Sequence, residues 1–335
     1  MNIVAGFDKI APYLTHPLVL WICFGMLFFG LLLWYGERKG RLPHLAFFLI
    51  LLVMGAVIYL GKDDKALWIP AAIAMLGIAA PTALTRKASA VAAARHLGAL
   101  AYLNSPQEAL LHYRKAVQLD PDNTVGWNRL GLLLWRTGEL AQAEEAYHKV
   151  LALAEAHQNQ EEQAAALGNL GIVYQTRGEL DKAEEMYRKA LELDKALGSK
   201  QGMAIQYGNL GVVYQTRGEL NKAEEMHRKA LELDKALGSK EGMAADYGNL
   251  GIVYQTRGEL DKAEEMYWKG LELDQALGRK EGMALNYGNL GNVYQTRGEL
   301  DKAEQMFRKA LELHEALGSK QGMAQDYGNL GLVYG

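Results

Sequence analysis

From residue 88 onward, apolar and polar positions alternate with the spacing of helices. In the stretch that opens at Leu167, the residues Leu167, Leu170, Gly171 and Tyr174 fall at i, i+3, i+4 and i+7, which is one helical face. Gly171 carries no side chain there, so a neighbouring helix can approach closely. Gly178 predicts the end of this helix, since glycine readily takes the left-handed conformation just past a helix C-terminus. Asp181 and Glu184, three residues apart, have the form of a capping box opening a second helix. Its apolar face is Ala183, Tyr187, Ala190 and Leu191. The opposite face pairs Glu184 with Arg188 and Glu185 with Lys189 at i, i+4, each worth about 0.2–0.5 kcal/mol, and reads as solvated. Gly198 ends the second helix.

This two-helix unit recurs with a period of 40 residues. Near-copies begin at Tyr207, Tyr247 and Tyr287, and the copy at Leu167 has Leu in place of Tyr. A diverged copy begins at Trp127, a fainter one covers Ala94 to Asp120, and a partial one runs from Tyr327 to Gly335. Repetition at a fixed period is the signature of a solenoid, in which each unit buries its apolar face only against its neighbours.

The recurring positions resemble the tetratricopeptide motif: Leu170, Gly171, Tyr174, Gly178, Ala183, Tyr187 and Ala190, returning as Leu210, Gly211, Tyr214, Gly218, Ala223, His227 and Ala230. The unit exceeds the usual length of about 34 residues, which lengthens the second helix and makes it similar to the long-repeat subclass found in scaffolds such as the kinesin light chain and the Pins-type polarity proteins. The proline that often closes a unit appears only as Pro121, and Gly270 stands where other copies have a core alanine, which should loosen one contact between units. The resemblance implies an all-α fold, a right-handed solenoid of helical hairpins whose first helices line a concave groove for protein or peptide segments. Six to seven units, the last incomplete, occupy residues 88–335.

The first 87 residues have a different pattern and read as a membrane anchor. Pro17 to Tyr35 is uncharged and close to the roughly 20 residues needed to cross a bilayer, with Trp21, Trp34 and Tyr35 near its ends. A cleaved signal peptide fits poorly, because the preceding stretch is long and weakly basic and Glu37–Arg41 follows at once. A second span runs from Pro43 to Leu60, and a third, Ala66 to Leu84, is Ala-rich and contains Pro70 and Pro81. Arg38, Lys39 and Arg41 place the first loop in the cytoplasm, and three spans then place the repeats there too, in agreement with Arg86 and Lys87. Two spans would put the repeats on the side of the N-terminus. The lone cysteine, Cys23, lies in the first span and has no partner for a disulfide.

Each first helix has a further face of mixed polarity: Ala165, Asn169, Ile172 and Thr176. Asn169, Asn209, Asn249, Asn289 and Asn329 hold one equivalent position in five units. An amide both donates and accepts, so such a row can hold the backbone of an extended peptide without demanding its sequence, and the resemblance implies that role. Duplicated amides that serve only the fold are the other reading. Gln175, Gln215, Gln255 and Gln295 form a second row, and Arg129 replaces the asparagine in the Trp127 unit, where it could meet an acidic group. Two positions vary between copies, Ile172, Val212, Ile252, Asn292 and Leu332, and Ala165, Ile205, Ala245, Leu285 and Gln325; selectivity for a partner and neutral drift between recent duplicates both account for the variation. Met186, Met226, Met266 and Met306 recur on the second helix, as an adaptive methionine-lined surface or, more commonly for such spacing, as packing residues.

The net charge of −3 and the even mixture of signs give no basic stripe for nucleic acid. The eight histidines form no repeated ligand spacing, and each Gly-Asn-Leu-Gly lies within a helix and not in a phosphate loop. No metal, cofactor or catalytic set is expected. The expected function is a membrane-anchored, multi-pass scaffold that docks a protein or peptide partner. Two alternatives follow from the last unit, where Leu330 and Tyr334 lack a covering helix: the array is the regulatory part of a longer protein with an effector domain, or it self-assembles into a homo-oligomer.

Overall fold

The computed structural model describes residues 90–94, 98 and 105–334, and from 105 onward the chain is helix joined by short turns. The helices are α1 (Pro106–Leu119), α2 (Thr124–Arg136), α3 (Leu140–Ala156), α4 (Gln160–Thr176), α5 (Leu180–Leu197) and α6 (Lys200–Thr216). They continue as α7 (Leu220–Leu237), α8 (Lys240–Thr256), α9 (Leu260–Leu277), α10 (Lys280–Thr296), α11 (Leu300–Leu317) and α12 (Lys320–Tyr334). From α2 on, even-numbered helices are the first and odd-numbered helices the second of each unit. The three expected membrane spans and Cys23 lie outside the described residues. No helix among the described residues is long and apolar enough to cross a membrane.

The turn between the helices of a unit forms as the glycine spacing predicts. Gly178 has φ +78°, its N–H donates to the Gln175 carbonyl at 3.0 Å, and the Glu179 N–H reaches the Tyr174 carbonyl at 2.9 Å. These two bonds satisfy carbonyls that the helix end would otherwise leave open. The extra length of the unit is not concentrated in the second helix. The first helices α4, α6, α8 and α10 have 17 residues and the second helices α5, α7, α9 and α11 have 18.

The predicted capping box does not form. Glu179, not Asp181, occupies the N-cap of α5 and makes no side-chain cap bond. Side-chain caps stand instead on first helices: Asn159 accepts from the Glu162 N–H at 3.2 Å, and Ser199 from the Gly202 N–H at 3.1 Å. Asp181 and Glu184 have other partners, because both receive the guanidinium of Arg217 from the next unit, Asp181 at 2.6 Å. The Tyr214 hydroxyl donates to Glu184 at 2.6 Å and accepts from Arg188 at 2.7 Å. The face that includes Glu184 therefore carries a clasp between units, while Asp181, Glu185, Arg188 and Lys189 on it stay exposed to solvent. The expected pair with Arg188 is present at 2.9 Å, and Lys189 meets Glu185 at 2.7 Å on the exposed side.

The same clasp links Arg177, Arg257 and Arg297 to Glu144, Glu224 and Glu264. Burial pushes the Glu224 carboxyl up, but hydrogen bonds from Tyr254, Arg257 and Arg228 outweigh that and hold it at about 2.

Inside each unit the seam is apolar. Leu170, Tyr187, Ala183 and Ala190 are fully buried, and the Tyr187 ring lies in the notch left by Gly171. Tyr267 lies likewise against Gly251 and Phe307 against Gly291, where an added Cβ would come within 2.5 Å of either ring. In the α6–α7 unit the notch at Gly211 is filled by His227, which is wholly buried and has no hydrogen-bond partner on either ring nitrogen. Burial lowers its pKa to about 4.

Met186, Met226 and Met266 pack against this core, and Met306 is buried in it. Gly270 leaves no gap between units, because the Asn286 amide occupies the space, 3.1 Å from where a Cβ would stand.

Candidate binding face

The first helices of successive units touch one another: α4 with α6, α6 with α8, and α8 with α10. That contact places their mixed-polarity faces side by side. Near the start, α2 and α4 are tied directly. The Asn169 amide donates to the Asn128 side-chain oxygen at 2.9 Å, and the Trp135 indole donates to the Thr176 hydroxyl at 2.9 Å.

The asparagine row is half-buried throughout, so its amides are reachable from solvent. Asn169 is engaged with Asn128, whereas the side chains of Asn209, Asn249, Asn289 and Asn329 bond to nothing among the described residues. Beside each stands a glycine, Gly208, Gly248, Gly288 or Gly328, with open space where a Cβ would project. Sequence reasoning missed this bare backbone, although the recurring Gly-Asn pair carries the signal.

The glutamine row is less uniform. Gln175 accepts from the Tyr187 hydroxyl at 2.8 Å, and Gln255 from Tyr267 at 2.7 Å, so these amides also brace the hairpin. The Gln215 oxygen is buried without a partner in the unit that has His227. Gln295 belongs to the unit that has Phe307, whose ring offers no hydroxyl to bond. All four glutamines are half-buried.

Of the variable positions, Ile205 and Leu285 are 54% and 64% exposed, and Leu332 is 69% exposed. Asn292 is half-buried, and Arg129 is exposed on α2. The face thus presents neutral amides, bare glycine backbone and isolated apolar side chains, with Arg129 as its charged member. Among the described residues no three His, Cys, Asp or Glu side chains gather to hold a metal.

Two family models match the chain. Residues 124–196 match a tetratricopeptide repeat, and residues 199–332 match the MalT-like tetratricopeptide region. No curated protein matches. The solved structure of BtubC from P. vanneervenii is similar with a TM-score of 0.55 and 23% identity, over 68% of this chain and 94% of BtubC. A signal-transduction ATPase with numerous domains and a tetratricopeptide repeat sensor, from Pyrococcus horikoshii, is similar with a TM-score of 0.59 and 18% identity. That match covers 68% of this chain and 35% of the ATPase. Apo RapI matches with a TM-score of 0.55 and 14% identity, over 73% of this chain and 97% of RapI. At these identities the likeness shows the fold: an all-α solenoid of tetratricopeptide repeats.

Proposed function

Taking residues 124–332 as a tetratricopeptide array, we propose that it is a docking scaffold, held at a membrane by residues 1–87, with its repeats in the cytoplasm. Its partner is an extended protein or peptide segment laid along the first helices. The observation that carries this reading is the set of free amides at Asn209, Asn249 and Asn289. Each is half-buried on a rigid helix beside an uncovered glycine, which suits it to pair with the N–H and C=O of a strand laid across it. Side-chain amides serving only the fold would be expected to find partners within it, as Asn169 does. Selectivity falls to Ile205, Leu285 and Asn292, which change from unit to unit along the same face.

The test uses the full chain and its variant Asn209→Ala/Asn249→Ala/Asn289→Ala. Segments retained by the full chain are synthesised as peptides and titrated against both proteins. Three lost hydrogen bonds of about 1 kcal/mol each should weaken binding by roughly 150-fold. Equal affinities with both folded proteins would sink the asparagine-row reading. Topology is checked separately, by protease access to the repeats in sealed vesicles of known orientation.

A second reading, the sensor part of a larger signalling protein, draws support from the likeness to the ATPase sensor. An effector domain encoded in the same reading frame would favour it.

A further inference from the structure

Where one unit meets the next, the end of a second helix brings one residue against the middle of the following first helix. The equivalent positions hold Ala154 and Ala166, Asp194 and Gln206, Asp234 and Asp246, Asp274 and Asn286, then His314 and Asp326. Every one of the acidic and amide side chains is buried; Asp246 is 4% exposed and Asp234 9%. At three of the polar joints a donor meets an acceptor. The Gln206 amide reaches Asp194 at 3.4 Å, the Asn286 amide reaches Asp274 at 2.9 Å, and His314 Nδ1 lies 2.6 Å from Asp326. The α7–α8 joint is different: two carboxyl groups face each other, and Asp246 Oδ2 has no partner. Two carboxylates buried in one joint cannot both stay ionised.

We propose that the α7–α8 joint is proton-operated: Asp234 and Asp246 share one proton in the closed array, and its loss loosens the array at this joint alone. The two residues are not equivalent. Asp234 lies against Gly242 in the first turn of α8, where a side chain larger than hydrogen would collide with its carboxylate. The positive end of the helix dipole favours negative charge there. Asp246 sits farther along the same helix, away from that end, and takes the proton. Burial, with the facing Asp234 charge, pushes the Asp246 carboxyl up to about 8.

The charged groups around the pair do not offset it. From α7, Lys235 lies 5.6 Å from the centre of the Tyr247 ring, and from α9 Lys269 lies 5.8 Å from the same ring and is paired with Glu265. On α8, Glu241 is directed to Arg279 at 3.6 Å. The charged residue of α6 is Lys200, exposed at its first turn. The sign follows from the raised carboxyl. An unfolded Asp releases its proton near pH 3.9, so the joint loses stability as the pH rises from there to about 8.

The joint is tested on the full chain and on Asp246→Asn, which copies the native Asp274–Asn286 arrangement and so should fold. Difference infrared spectra at roughly pH 6 and roughly pH 9 should show a protonated carboxyl band in the wild type that disappears at the higher pH. The variant should lack this band at both. Amide exchange in residues 230–250, corrected for its intrinsic rise with pH, should increase several-fold in the wild type and stay level in the variant. A band that survives in Asp246→Asn, or equal exchange in the two proteins, would overturn the proposal. So would recovery of the wild type at high pH on adding calcium, since the pair would then be holding a cation. Neither readout depends on whether the binding face has an occupant.

Discussion

The seam inside a unit is apolar, whereas the seam between units adds a charged clasp to the apolar packing that runs through successive units. Inside, a ring fills a glycine notch in a contact that excludes water, as Tyr267 does against Gly251. Between units, Arg257 spans to Glu224 and Asn221, with the Tyr254 hydroxyl bonded to the same glutamate. A dry seam depends on shape and is nearly indifferent to pH. A charged seam tolerates change of shape and responds to pH and salt. A change of pH or salt should therefore act first on the joint between hairpins and not on the hairpin itself.

The largest effect is expected at the dry seam. Tyr267→Ala removes a fully buried ring and should cost about 3–5 kcal/mol, read as faster amide exchange across α8 and α9. A cost below that of a surface substitution would show that the notch does not organise the hairpin.

A smaller effect is expected in the α6–α7 unit, whose dry seam departs from the pattern. His227 is buried with both ring nitrogens unpartnered, and an unsatisfied buried polar group costs about 1–3 kcal/mol. His227→Phe, which copies the arrangement at Phe307, should raise the unfolding free energy by a similar amount, read from denaturant midpoints. The wild type binds protons more readily when unfolded, near pH 6.5, than when folded, near 4. Its stability should therefore fall as the pH drops through that window, and the phenylalanine variant should lose that slope.

The smallest effect belongs to the charged seam. Arg257→Ala should cost about 1 kcal/mol, since these side chains remain partly solvated. The native clasp favours ionised Glu224, so its contribution is present above about pH 4.5 and lost as the pH falls toward 2. The variant should show a shallower acid transition, measured by denaturant midpoints between those values.

The hairpin was legible because its determinants are local. Leu170, Gly171 and Tyr174 share a helical face, and Gly178 stands where the left-handed residue is required. Helical spacing also led the reading astray at Asp181 and Glu184. Their three-residue interval suggests a cap, but Arg217 takes both from 36 and 33 residues away. No periodicity within one helix reveals a partner at that distance. The recurrence of Arg217, Arg257 and Arg297 one residue before a turn glycine was the available signal. The buried pairs were harder to foresee, because Gln206, Asp246, Asn286 and Asp326 vary from copy to copy and resemble drift until their partners are seen. For the binding face, the asparagine register was visible in the sequence. Which amides are already engaged was not, since the bond from Asn169 to Asn128 crosses between units.

The near-identity of the charged clasps has a genetic consequence. A recombination event that excises 40 residues leaves matching clasp partners on both sides of the scar, so units can be lost or gained without a mismatch there. The breakpoints nevertheless leave a chemical record. Excision of 195–234 would bring Asp194 against Asp246 and keep an acid pair, whereas excision of 207–246 would remove both acids and retain Asp194 with Gln206. Two shortened alleles of equal length would then inherit different responses to alkali.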